Sequence, residues 1–212
     1  MASPVLLNPP LAEQRVVLQG INWQAFEAFL VALGEQRSAR LAYDRGVLEI
    51  MSPSRRHESA KSIMGRLIET WAAEKNINIA SMGSLMLKRA DLSCAVEPDE
   101  CYYIQNEQNI RNQEDIDLAQ DPPPDLVLEI DITSPSLLRL PIYAALGVPE
   151  VWRYDGQELH LYILQSGSYI SQEQSQVVPS FPTNLIPGLL EEAKTLGETG
   201  MLRKFSEFIK QM

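Results

Sequence analysis

Apolar positions along the chain change period several times, and each change marks an element. Asn22 is a credible N-cap, and Trp23, Phe26, Phe29, Leu30 and Leu33 follow at helical spacing until Gly34. RLAYDRGVLEIMSP then alternates with period two around an Asp44-Arg45-Gly46 turn, which predicts a hairpin whose second strand ends at Pro53. A helix is expected from about Arg56 to Lys75, with Ile63, Leu67, Ile68 and Trp71 on its apolar side. Short strands are expected around Ile77–Ala80 and Leu85–Lys88, and a longer one at Ala95–Ile104. Residues 105–123 are polar and acidic and read as a loop. DLVLEIDI is a near-continuous apolar run carrying three acids, which suits a central strand buried on both faces.

Ser136 can cap a short helix reaching Leu146, with Gly147 as its stop and Pro141 tolerable only in the first turn or as a kink. VWRYDG-QELHLYIL predicts two strands across an Asp155-Gly156 turn, and Tyr169-Ile170 starts a third. One or two amphipathic helices fill Leu189 to Ile209. The Pro-rich residues 1–20 read as an irregular arm, and residues 188–212 as a C-terminal helical extension of one domain spanning 1–212. There is no internal repeat. The order of helix, hairpin, helix, strands, helix, strands and helix predicts an α/β fold with a mixed central β-sheet flanked by helices.

A composition that is 45% hydrophobic and 22% charged is ordinary for a globular chain and outside the disordered class. At 212 residues, folding needs no disulfide or structural metal. Cys94 and Cys101 fall on one predicted strand segment, too far apart to bond without a turn, and lack zinc-knuckle spacing. The N-terminus has no basic segment followed by an apolar run, and no apolar stretch approaches the length of a membrane span, so a cytoplasmic location is expected and no membrane partner. The net charge of −10 opposes a simple basic footprint for nucleic acid. Basic residues do cluster between Arg37 and Arg89, which would permit a single basic face.

Three groups of acids carry candidate chemistry: Glu97 and Asp99 in VEPDECYYI; Asp125, Glu129 and Asp131 in PPPDLVLEIDITS; and the His57-Glu58 pair opening the second helix. Residues two apart on a strand share a face, so Glu129 is expected to point with Asp131, and Glu97 with Asp99. Carboxylates in a strand that otherwise reads as core must be paired or coordinate a cation. A hard divalent ion such as Mg²⁺ takes oxygen ligands and needs only a few carboxylates. Solvated or arginine-paired acids are the alternative. The two histidines, His57 and His160, have no second ligand at helical spacing, and neither a phosphate loop nor a Gly-x-Ser-x-Gly elbow is present.

EIMSPSRRHE, EPDECYYI, PDLVLEIDITSPS and YAALGVPEVWRYDG, in that order, resemble the successive blocks of the Uma-type putative restriction endonuclease family, within the PD-(D/E)XK nuclease superfamily. The resemblance spans about residues 20 to 170. It implies a restriction-endonuclease-like fold, with Asp99 and Glu129 holding Mg²⁺ (Mn²⁺ as substitute) and Glu58 matching the acid on the preceding helix. The superfamily's lysine two residues after the second acid is here Asp131, a possible extra ligand. Arg139 or Lys88 is then the expected source of positive charge, and an arginine can stabilise an anion but not act as a base. The function implied is a divalent-metal-dependent endonuclease hydrolysing DNA phosphodiester bonds. The competing reading is a catalytically degenerate nuclease-fold module that binds nucleic acid or protein, which the missing lysine favours. A homodimer is compatible with both.

Overall fold

The computed structural model describes residues 13–34, 38–132 and 139–212. In chain order the elements are β1 (Gln14–Gln19), α1 (Trp23–Leu33), β2 (Arg40–Asp44), β3 (Val47–Ser52), α2 (Arg55–Glu74), β4 (Ala80–Gly83), β5 (Leu87–Arg89), β6 (Cys94–Val96), β7 (Glu100–Tyr103), α3 (Glu107–Ile110), β8 (Leu126–Ile130), α4 (Arg139–Leu146), β9 (Glu150–Tyr154), β10 (Leu159–Gln165), β11 (Ser168–Gln172), a 3-10 turn (Thr183–Leu185) and α5 (Ile186–Gln211).

The strands form two sheets. One is antiparallel, in the order β1-β3-β2-β6-β5; the other runs β11-β10-β9-β8-β7-β4 and is mixed, because β8 and β9 are parallel. The expected mixed central sheet is the second of these, and the antiparallel sheet joins it where the chain leaves β6 and enters β7 across Glu97-Pro98-Asp99. Pro98 has no N–H to give a ladder, so the segment expected as one strand over Ala95–Ile104 breaks there. Cys94 and Cys101 accordingly lie in different sheets, both buried and reduced.

Three packed clusters hold the layers. α1 covers the outer face of the first sheet through Phe26, which stacks on Tyr43 with ring centroids 4.7 Å apart. α2 lays Ile63, Met64, Leu67, Ile68 and Trp71 on Leu126, Leu128 and Ile130 of β8, and α5 seals that cluster with Met201, Phe205 and Ile209. Between the sheets, Ala42, Leu87 and Val96 meet Val127, Val151 and the α4 residues Ile142, Tyr143 and Leu146. α5 turns at Gly197, whose φ of +70° belongs to the left-handed region that favours glycine.

Part of the N-terminal segment differs from expectation: Gln14–Gln19 is a strand, pairing antiparallel with β3 from Gln14↔Ser52 to Gln19↔Val47. Residues 1–12 of the expected arm lie outside the described residues, as does the Ser136 cap. Two further buried acids, the sequence candidate Asp125 and Glu150, are structural. Asp125 accepts from the Ile104 and Asn106 backbone N–H groups and from the Asn106 side chain. Glu150 accepts from Trp152 Nε1 and from the N–H groups of Gln176 and Val177, tying that loop to β9.

Candidate active site

At the seam between the sheets, the antiparallel register of β7 and β8 pairs Glu100 with Leu128. Asp99 lies just before β7, at the Glu97-Pro98-Asp99 break, and its side chain reaches β8 at Ile130, the residue after Glu129. Asp99 is fully buried. Its Oδ2 accepts the Ile130 N–H at 2.7 Å, and its Oδ1 lies 2.8 Å from His57 Nε2. Asp99 is close enough for its charge to raise the pKa of Glu129. The two acids quoted for the metal are therefore together.

Glu129 is held by α4. Arg139 Nη1 donates to both of its carboxylate oxygens, at 3.1 and 2.8 Å, and the Tyr143 hydroxyl donates to Oε1. The short helix spaces Arg139 and Tyr143 four residues apart, so both reach the same carboxylate. Arg139 Nη2 also reaches Glu49 of β3 at 3.3 Å. Arg15 of β1 continues the chain of charges, with Nη1 3.6 Å from Glu49 and Nη2 donating to Asp131 at 3.2 Å. Arg153 Nη2 takes the other Asp131 oxygen at 2.7 Å. Glu97 turns aside and accepts the Leu41 N–H at 2.8 Å. With its strand broken at Pro98, the expectation that it points with Asp99 has no continuous pleat to rest on.

His57 carries the clearest electrostatic statement. Its Nδ1 is 2.8 Å from Glu13 Oε1, so both ring nitrogens face carboxylates and both must be N–H donors, which is the imidazolium. Burial pushes its pKa down, but hydrogen bonds and charge from Asp99 and Glu13 outweigh that and raise it to about 9. Burial raises the Glu129 carboxyl above the usual carboxylate range, with Arg139 pulling against it.

The His57 shift predicts a pH-dependent stability. A folded pKa of about 9 against an unfolded value of about 6.5 gives stability that is complete below about pH 6.5 and lost as pH rises through 9. The loss is on the order of 3 kcal/mol at about 1.36 kcal/mol per pKa unit. Urea midpoints in EDTA at about pH 6, about pH 7.5 and about pH 9 should fall along that series for the wild type. The fall should be largely absent in His57→Asn; an equal fall in that variant would remove His57 as its source.

The remaining candidates are placed elsewhere. Glu58 follows His57 on α2 but points away from the cluster, half exposed and 3.8 Å from Arg40. Neighbours on a helix diverge by about 100°, so only one of the pair can face Asp99. Lys88 is also displaced. In register it opposes Ala95, on the face covered by α1, where it donates to Glu27 at 2.8 Å. Glu49 and Arg139 lie on the opposite face. Glu13, Arg15, Glu49 and Tyr143, which sequence reasoning did not select, complete the cluster.

In donor chemistry the pair Asp99–Glu129 suits a hard cation, and Mg²⁺ usually takes only one or two protein carboxylates with waters. The carboxylate oxygens are at present engaged by Arg139, Tyr143, His57 and the Ile130 N–H. Among the described residues no three His, Cys, Asp or Glu side chains are grouped as a metal site. A metal would therefore have to draw Glu129 away from Arg139 and Tyr143.

Two sheets flanked by helices, with the buried acids Asp99 and Glu129 near each other at their seam, make this a restriction-endonuclease-like α/β protein. A family described as "Putative restriction endonuclease", Uma2, matches residues 23–192, and the chain belongs to it. A solved structure, described as a putative nuclease belonging to DUF820 from Anabaena variabilis, is similar in fold with a TM-score of 0.52 and 19% identity. The match covers 76% of this chain and 96% of that one. No curated protein matches. Among the described residues, no helix is long and apolar enough to cross a membrane.

Proposed function

We propose that this protein is a divalent-metal-dependent endonuclease that hydrolyses DNA phosphodiester bonds at the Asp99–Glu129 pair. The observation that supports the reading is that the buried Asp99 carboxylate accepts the N–H of Ile130, next to the buried Glu129, although the two acids are 30 residues apart in sequence. Mg²⁺, or Mn²⁺ in its place, would be held by Asp99 and Glu129. When bound, such an ion polarises a phosphoryl oxygen and makes water acidic enough to attack. The chain's own residues supply orientation and charge. Arg139, released from Glu129, is positioned to meet charge developing on the phosphate, and the buried His57 imidazolium fixes the Asp99 carboxylate. Glu58 and Lys88 have no part in this arrangement, and Asp131 acts through the arginines it binds. A cytoplasmic location and a homodimer able to meet both strands accord with it.

One observation favours a second reading. The carboxylates Glu13, Glu49, Asp99, Glu129 and Asp131 are interleaved with Arg15, His57, Arg139 and Arg153, so the cluster is nearly neutral without any ion. A degenerate module that binds nucleic acid or protein would have such a closed network. Calorimetric titration with Mn²⁺, together with cutting assays on duplex, single-stranded and branched DNA, separates the two. The nuclease reading expects metal binding and Mn²⁺- or Mg²⁺-dependent cutting. Absence of both on every substrate leaves the degenerate module.

A further inference from the structure

The nuclease reading lacks the lysine that the superfamily places two residues after the second acid, and Asp131 stands in that position. Asp131 does not leave the place without positive charge. Its Oδ1 holds the Arg15 guanidinium at 3.2 Å, delivered from β1, a strand more than a hundred residues away in sequence. The register explains the delivery. Arg15 pairs with Met51, two residues from Glu49 and on the same face of β3, and from there its side chain spans Glu49 and Asp131.

Arg15 is also incompletely used. Its Nη2 donates to Glu13 and Asp131 and its Nη1 is ion-paired with Glu49 at 3.6 Å, while its buried Nε has no hydrogen-bond acceptor among the described residues, and neither has Nε of Arg139. Buried donors are ordinarily satisfied, so unmatched guanidinium N–H groups beside paired acids point to an anionic acceptor. A guanidinium presents its donors as a planar fork that matches two phosphate oxygens.

We propose that Arg15 is a second phosphate-contacting cation of this site, beside Arg139 and at the place of the missing lysine, with Asp131 and Glu49 as the residues that position it. This rests on the nuclease reading for its chemistry, but its contact with the DNA backbone can be measured without turnover. Arg153 also pairs with Asp131, and its exposure is greater. It therefore fixes the carboxylate from the solvent side and leaves the inner oxygen to Arg15.

The test uses the full chain with Arg15→Met, which keeps an unbranched apolar stem, and Arg15→Lys, which keeps the charge. Circular dichroism and melting first establish that both are folded at the assay temperature. Affinity for a labelled DNA duplex is then measured in Ca²⁺ across a range of salt, and cutting in Mn²⁺. A lost phosphate contact should lower the slope of log affinity against log salt by about 0.9 in Arg15→Met, with the slope retained in Arg15→Lys. Cutting by Arg15→Met should fall about 100-fold. An unchanged slope, or cutting at the wild-type rate or faster, overturns the proposal and makes Arg15 a plug over the acids. If the wild type binds DNA without cutting it and Arg15→Met still lowers the slope, the nuclease reading falls while the phosphate contact stands. No DNA binding by the wild type at any salt sinks both.

Discussion

Glu129→Gln is expected to lower Mn²⁺-dependent DNA cutting by at least about 10³-fold while leaving the protein folded. The amide has nearly the volume of the carboxylate and still accepts hydrogen bonds through its one carbonyl oxygen, so Arg139 and Tyr143 keep a partner. What the substitution removes is formal charge on a buried carboxylate close enough to Asp99 to feel its charge. A hard ion gains little from a neutral amide, and two carboxylates are near the minimum it accepts from protein. The measurement is the initial rate of cutting at saturating Mn²⁺, with the heat of Mn²⁺ titration alongside. Loss of both together identifies Glu129 as a metal ligand. Cutting within tenfold of wild type would place the chemistry elsewhere on the molecule.

How much of this site could be read beforehand depended on whether a residue violated its local pattern. Glu129 stood out because an acid inside LVLEI contradicts a strand buried on both sides, and every residue of β8 is indeed buried. Arg139 was reachable only through the family resemblance, which implies a cation on the helix after that strand. Glu49 gave no such signal. In a hairpin strand an acid alternating with Leu48 and Ile50 reads as the solvent face, and only the second sheet, folding over that face, buries it. Arg15 was hidden for a related reason: β1 owes its existence to pairing with β3, not to a pattern of its own, and Val16, Val17 and Leu18 are substantially exposed along it. The choice between His57 and Glu58 turned on the rotation of α2 about its axis. Here Ser54 caps the helix on the His57 N–H, and the apolar face from Ile63 to Trp71 then fixes which of the two looks inward. Lys88 went astray because a three-residue strand has two faces and no periodicity long enough to say which meets the acids.

Arg139→Met should cost about 3–5 kcal/mol of stability, the largest loss expected from any single change in the cluster. Arg139 is 7% exposed and compensates two buried acids, Glu129 and Glu49. Methionine fills much of the space but leaves those carboxylates without their guanidinium, and burial then drives Glu129 further toward its protonated form. The urea midpoint, with the slope checked for constancy, reports this loss. The interpretation is fixed by a second substitution. If the penalty comes from uncompensated charge and not from lost packing, Glu129→Leu added to Arg139→Met should recover a large part of it, because deleting both members of a buried pair is often near neutral. A double variant as unstable as the sum of the single ones would mean that Arg139 stabilises by filling space between α4 and β8. The same pair of variants bears on function: the guanidinium that steadies Glu129 in the folded protein is the group a metal would have to displace. Arg139→Met, at a temperature where it remains folded, should therefore bind Mn²⁺ more tightly than the wild type even as it loses the charge needed to cut.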